Sequence, residues 1–133
     1  MAMKKLRATD IQTLAKEAKN SEHKEAYKVL SKDGNCRIGI GARLAPSGQL
    51  SFFIEVLVYL FTEPSEIDLP LLETKLEFLR ELEKRGYSLA CQDESCISCE
   101  ITIAPRNLAS EYETIRSEIC KRITLGKKKG LSA

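Results

Sequence analysis

Residues 51–61 read SFFIEVLVYLF, and this stretch decides the fold. Only Ser51 and Glu55 interrupt a run of aromatic and aliphatic side chains, which are the types that fill the pleated surface of a sheet. The stretch therefore predicts a central β-strand. Because successive side chains of a strand point to opposite faces, a strand that is apolar on both faces must be covered on both. The helices of this chain can cover one face, so what covers the other becomes the main functional question.

This strand is the second half of a predicted antiparallel hairpin. Residues 36–44 alternate with a period of two, and the turn residues 45–48 separate them from residues 49–61. One face of the hairpin is predicted to be core, and it carries Cys36, Ile38, Ile40, Ala42, Leu44, Phe52, Ile54, Val56 and Val58. The opposite face carries Arg37, Gly39, Gly41, Arg43, Phe53, Glu55, Leu57, Tyr59 and Phe61. The two glycines are expected to leave room for the aromatic side chains of the neighbouring strand.

The segment before this hairpin has helical spacing. Thr9 is predicted to cap a helix that begins at Asp10, and the turn residues 33–35 end the element. Apolar residues recur at helical spacing on both sides of a polar break at residues 20–21, and they are Ile11, Leu14, Ala15, Ala18, Ala26, Val29 and Leu30. We expect one long helix with a weak middle or two short helices.

Two further helices are predicted. Asp68 and Pro70 begin the second, and Gly86 follows its end. Its predicted buried stripe is Leu71, Leu72, Leu76, Phe78, Leu79 and Leu82, and its predicted solvent-facing charges are Glu73, Lys75, Glu77, Arg80, Glu81 and Lys84. Asn107 is the predicted cap of the third helix, which runs to about Leu125. The inward residues of that helix are Leu108, Tyr112, Ile115, Ile119 and Ile123.

A second hairpin lies between these helices and completes the predicted sheet. Residues 87–92 and 96–103 alternate cleanly around a turn at 93–95. The order α-ββα-ββα predicts a two-layer α+β fold, in which two hairpins form one four-stranded antiparallel sheet and the helices pack mainly on one face. The two hairpin-helix halves are of similar length and suggest a structural repeat, and the position of the first helix stays open. We expect a single domain over residues 1–126 and a basic, frayed tail over 127–133.

Composition limits the functional classes. The chain has 133 residues, 43% of them hydrophobic and 30% charged, which is ordinary for one globular domain. The longest apolar run is too short for a membrane span and contains a carboxylate. A net charge of +2 argues against the strong field of a dedicated nucleic-acid binder. The five cysteines, without a recognisable export signal, favour a reducing cytoplasm.

The second face of the first hairpin is the leading candidate for function. Phe53, Leu57, Tyr59 and Phe61 would form a contiguous apolar patch there, and such patches usually mark interfaces. We therefore expect a cytoplasmic, non-enzymatic or regulatory protein that associates through this face, most simply as a homodimer. The alternatives are that the first helix covers the face internally, or that the face binds a ligand or another partner.

Charged residues suggest a second reading. Arg37, Arg43 and the lysine-rich tail could make the chain a binding module for a small ligand or nucleic acid. Glu55 lies on the same face as both arginines, so an ion pair is expected in preference to an acid or base role. No second catalytic group is placed beside it. The sequence therefore does not predict an enzymatic activity.

Three cysteines give a third reading. Cys96 and Cys99 form a CxxC motif near Cys91, and a fourth ligand from Cys36, Cys120 or His23 would complete a zinc or iron-sulfur site. A redox pair is also conceivable, with Cys96 as its exposed member. Strand alternation, however, points Cys91 and Cys99 into the core, where thiols behave as small apolar groups. No cofactor is therefore expected, with a metal kept as the alternative.

Overall fold

The structure is a computed structural model that describes residues 6–61 and 67–124. Its elements, in chain order, are α1 (Ala8–Asn20), β1 (Glu25–Lys32), β2 (Cys36–Leu44), β3 (Leu50–Tyr59), α2 (Leu69–Lys84), β4 (Ser88–Asp93), β5 (Cys96–Ile103), α3 (Pro105–Ile119) and a π-helical turn (Cys120–Thr124). Within these described ranges no helix is long and apolar enough to cross a membrane. The predicted end of the last helix at Leu125 and the basic tail lie outside the described residues.

The five strands form one antiparallel sheet in the order β1-β2-β3-β5-β4. The α+β class, the antiparallel sheet and both hairpins are confirmed. The strand number is wrong, because the sheet has five strands and the prediction has four. The first half of the chain thus contributes three strands and the second half two, and the structural repeat stays a prediction.

The missed strand is β1, which was predicted to be helical. Ala26 and Leu30 face the core while Tyr27 and Val29 are exposed, so the segment alternates as a strand does. A bulge between Val29 and Ser31 shifts the register with β2 and leaves Leu30 and Ser31 both buried. This shift breaks the period of two, and the remaining apolar spacing imitates a helix.

All three helices pack on one face of the sheet. The core unites the even-numbered residues of β2 and β3 with Leu14 and Ala18 of α1, Phe78 and Leu82 of α2, and Ile115 of α3. The predicted core face of the first hairpin is confirmed, except that Leu44 is only half-buried. The first helix, whose place was open, therefore lies on the core face and not on the opposite one.

The buried stripe of α2 differs from the predicted one by a rotation about the helix axis. Asp68 caps the helix as expected, since its carboxylate accepts a hydrogen bond from the Leu71 N–H at 3.1 Å. Leu76, however, is 40% exposed, whereas Lys75, predicted to face solvent, is buried. The Lys75 Nζ donates a hydrogen bond to the Tyr59 carbonyl at 2.6 Å. This bond lets a charged side chain occupy a position in the buried stripe.

The predicted helix starts differ from the structure at two places. α1 begins at Ala8, so Thr9 lies inside the helix, and the Asp10 carboxylate accepts the Arg7 N–H at 3.0 Å instead. α3 begins at Pro105, upstream of the predicted cap Asn107, because proline suits the first helical turn. The five inward residues predicted for this helix are all buried, four of them in α3 and Ile123 in the π-helical turn.

Candidate functional site: the open face of the sheet

The face of the sheet away from the helices carries no helix of the described residues. We call it the open face, and it is made by Glu25, Tyr27, Val29, Arg37, Gly39, Gly41, Arg43, Phe53, Glu55, Leu57, Tyr59, Cys96, Ser98, Glu100 and Thr102. Strand register arranges these residues in rows across the sheet. Tyr27, Gly41, Phe53 and Thr102 form one row. Val29, Gly39, Glu55 and Glu100 form the next.

Two glycines of β2 form the floor of the open face. A Cβ atom at Gly41 would overlap the Phe53 ring and lie 2.8 Å from the Ala26 carbonyl oxygen. A Cβ atom at Gly39 would overlap the Tyr27 phenol. The glycines therefore let two aromatic rings lie flat on the sheet, as their position in a strand suggested.

Phe53 lies at the centre of the apolar part of this face and is itself covered. Its ring stacks on Tyr27 with centroids 6.3 Å apart and planes 15° apart, and the Arg43 guanidinium lies 3.9 Å above its centroid. As a result Phe53 is only 3% exposed. Leu57 is also buried, at 7%, so these two residues do not form the exposed apolar patch that was predicted. The large hydrophobic side chains exposed here are instead Tyr27 and Val29, each at 38%.

Sequence reasoning missed Tyr27 and Val29 because it assigned their segment to a helix. Both lie in β1, where they alternate with Ala26 and Leu30. The signal that could have identified them is the sequence YKV, in which an aromatic and a β-branched residue are two positions apart.

Arg43 bridges three strands. Its two terminal nitrogens donate hydrogen bonds to the two carboxylate oxygens of Glu100, each at 2.8 Å, while its Nε donates to Glu25 at 3.0 Å. The hydrogen bonds to Glu100 are the main reason that the pKa of Arg43 is raised. A bidentate pair fixes the plane of the guanidinium, so Arg43 is held flat against Phe53.

Glu55 occupies the centre of β3 and is held by three neighbours. It accepts a hydrogen bond from the Tyr27 hydroxyl at 2.8 Å and a longer one from the Ser98 hydroxyl at 3.5 Å, and it pairs with Arg37 at 3.5 Å. Partial burial and then the bond to Glu55 raise the pKa of Tyr27. Glu55 thus has the ion pair that was expected of it. The Arg37 Nε is buried without a hydrogen-bond partner.

The cysteines do not form one site. Cys91 is exposed at the edge of the sheet and Cys96 is buried, which reverses the expectation that Cys96 would be the exposed thiol. The register of β5 puts Cys96 on the open face beside Tyr59 and Cys99 on the core face beside Val56. Burial raises the pKa of the Cys96 thiol and raises that of Cys99 to about 12.

Metal ligation would require these thiols to converge. Across residues 6–61 and 67–124, no three histidine, cysteine, aspartate or glutamate side chains lie close enough together to hold a metal ion. Cys91, which was predicted to point into the core, is exposed on the edge strand β4. No disulfide joins any of the five cysteines, all of which belong to the described residues.

Comparison with protein-family models, curated proteins and solved structures gives no match to the chain.

Proposed function

We propose that this chain is a non-enzymatic association domain that binds a protein partner through the open face, and that its simplest partner is a second copy of itself. The observation that carries the proposal is the arrangement of the sheet. Helices α1, α2 and α3 all contribute to the core on one face, while the other face presents exposed Tyr27 and Val29 without a described helix over them. Neighbouring exposed apolar side chains on a sheet face that no described helix covers support an interface.

The charges on the open face favour a protein over nucleic acid. Arg37 is paired with Glu55, and Arg43 is paired with Glu25 and Glu100. Binding to a phosphate backbone uses uncompensated cations, whose counterions are released when phosphates are neutralised. A surface with both signs of charge side by side can instead complement a copy of itself across a two-fold axis.

The environment of Glu55 favours binding over catalysis. A general acid or base must reach a proton of its substrate, and it works best beside a second catalytic group. Glu55 is instead held by Tyr27 and Arg37 in a network that lies flat on the sheet. This network supports a structural role for Glu55, in which it keeps the binding surface flat and rigid.

The compartment follows from thiol chemistry. Five cysteines without a disulfide, three of them buried in a folded domain, suit a reducing environment in which disulfides are rare. We infer that the domain works in the cytoplasm.

The test is the substitution Tyr59→Glu, followed by sedimentation velocity. Tyr59 is half-buried on the open face, so a carboxylate there adds a repulsive and poorly solvated charge to an interface without entering the core. We expect the variant to stay folded and to shift from oligomer to a smaller species. Gln12→Glu, an exposed change on α1, adds the same charge away from the face and should leave the mass unchanged.

A second control separates folding from association. Ile54 is fully buried on the core face, so Ile54→Glu should unfold the chain. Unfolding of Tyr59→Glu to the same extent would mean that the open face is covered from within the chain. An unchanged oligomer would contradict the proposal, and salt-dependent retention of RNA by the wild-type chain would favour the nucleic-acid alternative.

A further inference from the structure

A second surface, distinct from the open face, runs along β4. Among the strands of the described residues this strand pairs only with β5, and five of its six residues are exposed. An edge strand presents unpaired N–H and C=O groups, which are a template for another strand. Natural proteins usually protect such an edge with charges, proline or a bulge within the strand.

The two edges of the sheet differ in this protection. The β1 edge carries Glu25, Lys28 and Lys32 and has a bulge inside the strand. The β4 edge is uncharged from Ser88 to Gln92 and contains no proline, and its register shift comes only after Cys91, near its end. The β4 edge is therefore the one left able to pair.

An apolar groove continues the β4 edge onto α2. It has a volume of about 300 Å³, and its apolar lining includes Leu60, Leu76, Leu79, Leu89, Cys91 and Ile97. Leu76, the leucine that was predicted to be buried, is 40% exposed here. A large exposed side chain on a helix beside an unprotected edge enlarges the apolar area that a partner could bury.

The rim of this groove carries one charge of each sign. Arg80 and Glu83 of α2 both line it, and neither forms an ion pair with any residue in the described part of the chain. A two-fold axis perpendicular to the sheet would keep the helices of both copies on one side and set their α2 helices antiparallel. Arg80 of each copy would then face Glu83 of the other.

We propose that this surface binds a second copy of the chain, in which the two β4 strands pair antiparallel about a two-fold axis and the two grooves close against each other. When a strand pairs antiparallel with its own copy, the N–H and C=O groups of each strand meet those of the other about the two-fold axis. The Arg80 and Glu83 arrangement has the same symmetry. The two open faces then join into one continuous surface.

This proposal does not depend on the proposed function, because it uses different residues. If both hold, the assembly is a tetramer with two kinds of two-fold interface.

The first test is Leu76→Glu, measured by sedimentation velocity. The side chain is exposed in the single chain, so the variant should fold, while its charge would be trapped in the closed groove. We expect at least a tenfold loss of association through this surface. Leu69→Glu, on the same helix and outside the groove, is the matched control and should associate as the wild type does. Equal behaviour of the two variants would overturn the proposal.

The second test reverses the rim charges. Arg80→Glu alone should weaken the dimer, because two carboxylates would meet across the axis, and adding Glu83→Arg should restore it. Recovery in the double variant is specific to the cross-axis pair, since a merely structural effect would not be rescued. A double variant as weak as the single one would contradict the proposed geometry.

The third test measures the distance between copies. Because Cys91 lines the groove, the label is placed through the variant Cys91→Ala with Ser88→Cys, which puts one exposed thiol on β4 outside the groove for a nitroxide reagent. Pairing about β4 places the two labels within about 20 Å of each other, because directly opposed residues of paired strands are only about 5 Å apart. Dipolar spectroscopy on Tyr59→Glu, which lacks the open-face contact, should retain this short distance. A monomer, or a dimer with only longer distances, would overturn the proposal and leave the proposed function intact.

Discussion

Gly41 is the residue on which the shape of the open face depends most directly. It stands opposite Phe53 in the strand register, and the absence of a side chain lets the Phe53 ring lie flat above it. Arg43 can then stack on the ring and still reach Glu100. A single hydrogen in place of a methyl group thus permits the aromatic stack, the cation–π contact and the ion pair together.

We predict that Gly41→Ala destabilises the chain by about 2 kcal/mol, as overpacking of a closely packed site does. The new Cβ would meet the Phe53 ring and the Ala26 carbonyl oxygen at 2.8 Å, and the backbone oxygen cannot move away as a side chain can. Urea unfolding would measure the loss. Gly34→Ala is the matched control, because a Cβ at Gly34 meets nothing within 4 Å, and it should change stability by less than about 0.5 kcal/mol. Equal effects in the two variants would show that the close approach at Gly41 is not a constraint.

Lys75 shows where residue type misleads. Its charge predicted a solvent-facing position on α2, but it is buried and donates to the Tyr59 carbonyl at 2.6 Å. Periodicity alone would have suggested this, since Leu71, Lys75, Phe78 and Leu82 recur at helical spacing. Lysine is rarely buried, so its residue type predicts exposure. The carbonyl group that permits its burial lies on another element and cannot be read from the helix sequence.

Among the helices and strands, α1 is linked to the β1 edge of the sheet through the Asp10 carboxylate. Asp10 accepts the Arg7 N–H and lies 3.0 Å from the Lys28 Nζ of β1. The Arg7 N–H bond, followed by the Lys28 contact, holds the pKa of Asp10 below its usual value. Because the unfolded chain binds the Asp10 proton more tightly than the folded chain does, this contribution is present above about pH 4 and is lost as the pH falls through the lower folded value.

We therefore predict that Asp10→Asn lowers the free energy of unfolding by about 1 kcal/mol at pH 7, and that the difference from the wild type shrinks in acid below about pH 4. Urea unfolding at pH 7, 5 and 3 would measure it. Glu17→Gln, an exposed change on the same helix, should show almost no difference at any of the three values. If Asp10→Asn were as destabilising at pH 3 as at pH 7, its effect would come from packing and not from charge.

β1 shows the limit of periodicity at the same scale. A helix and a bulged strand can present similar apolar spacing over eight residues, and only the partner strand distinguishes them. Glu25↔Arg43 and Tyr27↔Gly41 become neighbours through pairing with β2. The three residues that β1 adds to the open face, Glu25, Tyr27 and Val29, therefore could not be anticipated once this segment had been predicted as helix.

At the scale of the whole molecule, the two proposed surfaces lie on different parts of one sheet. The open face is the broad side away from the helices, and the β4 surface is one edge together with the flank of α2. Association through each is expected to respond to its own variant, because the two sets of residues do not overlap.

We predict that the double variant Tyr59→Glu with Leu76→Glu is a folded monomer, whereas each single variant keeps one interface. Light scattering would give the mass, and circular dichroism would report the fold. Both side chains are partly exposed in the single chain, so neither charge enters the core. A double variant with the mass of either single variant would mean that a third surface, or only one of the two, holds the copies together.

The sequence by itself determined the α+β class, both hairpins, the core face of β2 and β3, and the inward residues of α3, because these depend on local turn residues and on the period of apolar side chains. Only the tertiary structure decided that β1 is a strand, that Lys75 is buried, that Tyr27 and Arg43 cover Phe53, and that Cys91 is exposed while Cys96 is not. Each of these depends on a neighbour distant in the chain. Burial, pairing and ion-pair partners are properties of contacts between elements, and periodicity within one element does not specify them.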